Sequence, residues 1–142
     1  MATTDMTDAE RDQFLSDVRV GILAIERDGK GPLALPVWYE YTDGQIVITM
    51  GDDSAKAKLL RRAGRATFTV QDERPPYRYV SVEGPVSITV EPTDVTDLAI
   101  RYLGPDLGRQ YAAANPPDDG TAVVRLAPER WLTCDYGKTG LA

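Results

Sequence analysis

With one cysteine and no histidine in 142 residues, the chain cannot form an internal disulfide, a thiolate zinc cluster or a Ser-His or Cys-His catalytic unit. Its length suits a single domain over 1–142, and the polar, acidic opening MATTDMTDAERDQ resembles no secretory signal, so with no bilayer-length apolar run a cytoplasmic location is expected. The 16 Lys and Arg and 22 Asp and Glu give a net charge of −6, yet five cations and no acid fall between Ser54 and Arg65, leaving 11 cations against 22 acids elsewhere; such a body repels nucleic acid but keeps one place for a compact anion.

Thr7 and Glu10 have capping-box spacing and start a short helix that runs to about Ser16. Val18 to Glu26 follows as a strand, apolar on both parities and so expected to be covered on both faces. Asp28-Gly29 and Gly31-Pro32 mark a turn, Leu33 to Tyr41 reads as a second strand, and Asp43-Gly44 closes a hairpin to Gln45 to Met50. A helix begins at Ser54 as N-cap and runs through Arg62 to a Gly64 C-cap; Arg65 to Gln71 then alternates as a strand.

Arg78 to Val90 keeps Val80, Val82, Val86, Ile88 and Val90 on one parity through Gly84-Pro85, which predicts one long strand bent at that pair. Thr93 is expected to cap a helix carrying Val95, Leu98, Ala99 and Tyr102 on one stripe, stopped at Gly104-Pro105. A further helix covers Asp106 to Ala114, and Thr121 to Thr133 is the last strand. The fold class is therefore mainly β, a closed or nearly closed barrel of six or more antiparallel strands with added helices.

Two stretches and the single residue Arg78 are candidates for chemistry. In SAKAKLLRR, Ser54 leaves outward-pointing amides at the positive end of the helix dipole with Lys56 in the same turn, while Lys58, Arg61 and Arg62 share an i, i+3, i+4 face. A solvated helix face is the ordinary use of such a run; the acidic remainder argues for anion capture. In LPVWYEY, Val37, Tyr39 and Tyr41 share one strand face and Trp38 and Glu40 the other, a wall for a planar ring or simply barrel filling. Arg78 either holds an anion or pairs with Asp72 or Glu73, and Cys134 reads as a small apolar filler.

The ordered segments LPVWYEYTDGQIVI, SAKAKLLRRAGRATFTVQDERPPYRYVSVEG and RLAPERWLTCDYGK resemble the pyridoxamine-phosphate-oxidase-like split β-barrel superfamily, and more closely its flavin/deazaflavin oxidoreductase branch. The resemblance implies a homodimer with the cofactor in a groove between subunits. It puts Ser54, Lys56 and Lys58 at the cofactor phosphate with Arg61 and Arg62 nearby, brings Val37, Trp38 and Tyr39 to the ring, and lets Thr67 or Thr69 line the same groove. The family often has an arginine where Ser54 stands. The implied cofactor is coenzyme F420, whose acidic tail suits the surplus cations, with FMN as the alternative. The implied activity is hydride transfer to a small unsaturated or conjugated substrate, the cofactor carrying the redox chemistry that a chain without histidine cannot. A non-catalytic carrier of flavin, deazaflavin or a haem-like pigment is the reading from another class. No catalytic residue is assigned; solvent or a tyrosine is left to supply the proton.

Overall fold

The computed structural model describes residues 4–140. Helix α1 (Asp8–Ser16) opens on the expected capping box: the Glu10 amide donates to the Thr7 hydroxyl at 3.2 Å and the Thr7 amide to the Glu10 carboxylate at 2.8 Å. It buries Phe14 and Leu15. The strands are β1 (Gly21–Arg27), β2 (Lys30–Val37), β3 (Glu40–Thr42), β4 (Gln45–Gly51), β5 (Arg65–Asp72), β6 (Arg78–Val90), β7 (Thr121–Leu126) and β8 (Arg130–Asp135). Helix α2 (Ala55–Ala63) joins β4 to β5, and α3 (Thr96–Leu103) and α4 (Pro105–Ala114) form a hairpin between β6 and β7.

All pairings are antiparallel, in the order β2-β1-β5-β6-β7-β4-β3, with β8 also on β6. The first half of β6 runs between β5 and β8, and the second half continues against β7. The change of partners falls at Gly84-Pro85, the pair where the sequence predicts the bend, and contact makes glycine necessary there: a Cβ on Gly84 would lie 1.9 Å from the Ala127 carbonyl oxygen. The Ala127 and Glu129 amides bond the Pro85 and Glu83 carbonyls across this bend, so the expected last strand Thr121 to Thr133 divides into β7 and β8. The expected strand Leu33 to Tyr41 likewise divides, because Trp38 and Tyr39 leave the ladder between β2 and β3. Pro36 is tolerated because β2 is an edge strand.

The core unites Leu23, Ile25, Ile46, Ile48, Phe68, Val70, Val80, Val82, Val124 and Leu126 with Phe14 and Leu15 of α1 and Leu60 of α2. Each fully buried aliphatic or aromatic side chain contributes roughly 1.5–3 kcal/mol from its removal from water. Two further expectations change. Thr93 does not cap α3; Val95 occupies that position without a side-chain bond, and the Asp94 carboxylate takes the Thr96 amide instead. Strand β1 also starts at Gly21 rather than Val18, and its outer face is uncovered: Ile22 is 41% exposed, with Val18 and Val20 just before the strand at 52% and 50%. Ile22 stands opposite Thr69, Thr69 opposite Ser81 and Ser81 opposite Leu132, itself 60% exposed, so a partly apolar row crosses four strands on one face. Among the described residues no helix is long and apolar enough to cross a membrane.

Candidate functional site

Helix α2 forms where the sequence predicts. Ser54 accepts the Ala57 amide at 3.2 Å and donates to the Gly51 carbonyl at 2.6 Å, and Gly64 closes the helix in the left-handed region at φ 72° with its amide on the Leu60 carbonyl. The Ser54 hydroxyl is thus spent on the cap. The amides of Ala55 and Lys56 precede the first intrahelical bond and point outward at the positive end of the helix. Ala57 and Leu60 face the core, which turns Lys56 toward a cleft and Lys58 toward open solvent.

That cleft has a volume of about 440 Å³ and is lined by Val20, Pro36, Val37, Trp38, Thr49, Lys56, Val95, Leu98 and Tyr111. It joins Lys56 to Val37 and Trp38, 18 or more residues earlier in the chain. Trp38 leaves the ladder and stacks on Tyr102 of α3, ring centroids 5.0 Å apart and planes 3° apart, with Tyr111 of α4 tilted against it at 5.3 Å. The α3–α4 hairpin therefore builds the wall opposite the barrel. A second, wider groove continues from Val20 past Val18, Ile22 and Thr69 to Arg19, Asp72 and Arg74.

The remaining expected site residues divide. Tyr39 is fully buried: its ring packs edge-on against Phe68 at 4.9 Å and its hydroxyl donates to the Leu15 carbonyl at 2.8 Å, so the side chain serves the core and offers a ligand no surface. Burial pushes its pKa up. Arg61 reaches back to the Asp52 carboxylate and carbonyl, and Arg62 to the Asp28 carboxylate on the β1–β2 turn; two cations of the expected strip are thus neutralised by the chain's own acids. Thr69 lies in the second groove with its hydroxyl 2.9 Å from that of Ser81, and Thr67 stands on the same face between Ala24 and Glu83. Arg78 takes its ordinary fate: it donates to Asp72 at 2.9 Å and holds that carboxyl at about 2, with the Arg74 amide adding to the effect.

Sequence reasoning placed Tyr102 on a helix stripe but did not bring it to Trp38, and it missed Tyr111. The signal that was present is the apolar stripe of α3, whose Val95 and Leu98 face the cleft. Tyr102 is locked by three backbone groups, donating to the Arg19 carbonyl at 2.6 Å, lying 3.2 Å from the Tyr39 carbonyl and accepting the Tyr39 amide at 3.1 Å. Burial raises its pKa.

The residues present fit a flavin-type cofactor: Lys56, which has no ion-pair partner among the described residues, and two helix-start amides for a phosphate, and an apolar cleft with an indole wall for a ring. The conserved hypothetical protein Rv2991 from Mycobacterium tuberculosis has 29% identity, covering 100% of this chain and 92% of its own, with a TM-score of 0.82. An F420 reductase matches at 24% identity over 85% of this chain and 94% of its own, TM-score 0.70. The FAD and heme binding protein from Mycobacterium smegmatis matches at 17% over 94% and 73%, TM-score 0.67. No curated protein matches the sequence. The family model for pyridoxamine 5'-phosphate oxidase spans residues 7–135, nearly the whole described structure, and the chain belongs to that family.

Proposed function

We propose that this protein is a coenzyme F420-dependent reductase acting on a small conjugated molecule. The observation that carries the reading is the meeting of Lys56, at the open start of α2, with the Val37–Trp38 wall in one cleft. Lys56 and the Ala55 and Lys56 amides hold the phosphate by charge-assisted hydrogen bonds. Trp38, fixed by Tyr102, gives the ring a flat apolar rest, and Val20, Val37 and Leu98 exclude water beside it. The bound cofactor supplies the hydride.

A homodimer belongs to this reading. The exposed row from Ile22 to Leu132 and the groove beside it suit a second copy, which covers the apolar face and closes the cofactor site. Sedimentation checks it: a fully cofactor-loaded monomer contradicts the dimer.

The FMN alternative has its own support. The case for an acidic tail rested on Lys58, Arg61 and Arg62, and two of these are engaged by Asp52 and Asp28. Anaerobic titration with F420 and FMN, oxidised and reduced, decides between them: tight FMN binding with indifference to F420 moves the assignment to FMN, and binding of neither removes the reductase reading. Loading without turnover on enones, quinones or nitroaromatics leaves a carrier.

A further inference from the structure

Reducing a conjugated carbonyl consumes a proton as well as a hydride, and a chain without histidine must find that proton elsewhere. Of the residues lining the cleft, Lys56 and Tyr111 are the two whose side chains can give up a proton from an ammonium or a phenol. On the reading above Lys56 is held by the phosphate, which leaves Tyr111.

The other tyrosines near the cleft are committed. Tyr39 donates to the Leu15 carbonyl, Tyr102 to the Arg19 carbonyl and Tyr41 to the Asp12 carboxylate. Tyr79 stands opposite Cys134 across the β6–β8 pairing, and Tyr136 bonds the Tyr77 carbonyl through its amide, all three outside the cleft lining. Tyr111 differs from each of them. It is 41% exposed, projects from α4 into the cleft and leans on Trp38, the ring wall of the site.

We propose that Tyr111 is the proton donor of the reduction, its hydroxyl hydrogen-bonded to the carbonyl oxygen of an α,β-unsaturated acceptor. The inference rests on the reductase reading. Hydride, with its electron pair, adds to the β-carbon of the acceptor; the C=C pair moves to join the α-carbon to the carbonyl carbon, and the carbonyl π pair moves to oxygen. That oxygen takes the Tyr111 proton as the phenolic O–H bond breaks. The two electrons come from the reduced deazaflavin or flavin, which is oxidised. The neutral enol becomes the saturated carbonyl in water, and the Tyr111 phenolate recovers a proton from solvent.

The test is Tyr111→Phe with 2-cyclohexenone as acceptor and whichever of F420 or FMN the protein binds, alongside equilibrium titration of the loaded protein with 4-nitrophenolate, a mimic of the developing oxyanion. The expected result is a kcat lower by on the order of 100-fold, a nitrophenolate affinity weaker by about 10-fold, and a cofactor Kd within about twofold of wild type, since Phe keeps the contact with Trp38. Wild-type kcat together with wild-type nitrophenolate affinity overturns the proposal. So does a loss of cofactor affinity large enough to account for the lost rate. Wild-type protein that binds cofactor but reduces no acceptor overturns the reductase reading itself, a separate failure, and takes the proton-donor role with it.

Discussion

Trp38 and Tyr102 lie face to face, 5.0 Å between ring centroids and 3° between planes, although 64 positions separate them in the chain. The stack pins the segment between β2 and β3 to α3, and the Tyr102 hydroxyl secures it by bonding the Arg19 and Tyr39 backbones. Tyr102→Phe keeps the stack and removes those bonds, stranding backbone groups that α3 covers. The expected cost is about 1–3 kcal/mol, read by urea unfolding, with weaker cofactor binding as the Trp38 wall loosens.

Lys56→Ala should weaken cofactor binding by about 1–3 kcal/mol in calorimetric titration, as when a charge-assisted hydrogen bond is lost. Lys58→Ala should cost less, because Lys58 faces solvent rather than the cleft. Equal effects, or none from Lys56, contradict the assigned phosphate position.

The acids beside α2 compete with any polyanionic tail. Asp28→Asn together with Asp52→Asn removes the carboxylates that neutralise Arg62 and Arg61, although Arg61 keeps the Asp52 carbonyl, and binding of F420 should tighten by about 0.5–1 kcal/mol at low salt, an amount limited by the exposure of both pairs. FMN, which ends at one phosphate, should gain less. A comparison of both Kd values in single and double variants separates tail contacts from a general change in charge.

Gly84→Ala tests the bend. A methyl there meets the Ala127 carbonyl, a backbone atom that cannot swing aside. Loss of about 1–3 kcal/mol or more is expected in chemical denaturation. Gly31→Ala, near the start of edge strand β2 with nothing within 4 Å of the added carbon, is the matched control and should change stability little.

Acid should act through Asp72. Its carboxyl is held at about 2 against an ordinary 3.8, chiefly by the hydrogen bond from Arg78. A folded value below the unfolded one means that the stabilisation is fully present above about pH 4 and is lost as pH falls toward 2. Asp72→Asn should flatten the acid limb of the stability curve between those values while lowering stability at neutral pH.

Local rules carried much of the way. The Thr7–Glu10 box, the Ser54 and Gly64 caps and the single β6 run were legible because each depends on residues close in sequence. The breaks at Trp38-Tyr39 and Ala127–Glu129 were not, since both arise where distant segments meet: Tyr102 takes the Tyr39 amide, and Ala127 crosses over Gly84. The basic strip was legible as charge but not as free charge. Asp28 and Asp52 reach Arg62 and Arg61 across 34 and 9 positions, and no spacing rule anticipates such pairs. Alternation put Tyr39 on one face with Val37 and Tyr41 and left ring wall and core filling open, and the family resemblance brought it to the cofactor ring; the structure turns its ring inward against Phe68.

Strand β6 takes part in both halves of the barrel without interruption. The two halves rely on successive stretches of one strand, residues 78–85 pairing β5 and β8 and residues 86–90 pairing β7, so fraying in one half reaches the other along a continuous backbone. Unfolding should therefore be a single cooperative event, and hydrogen exchange should find the most protected amides along this shared seam rather than at the α3–α4 hairpin, whose departure would leave the seam whole.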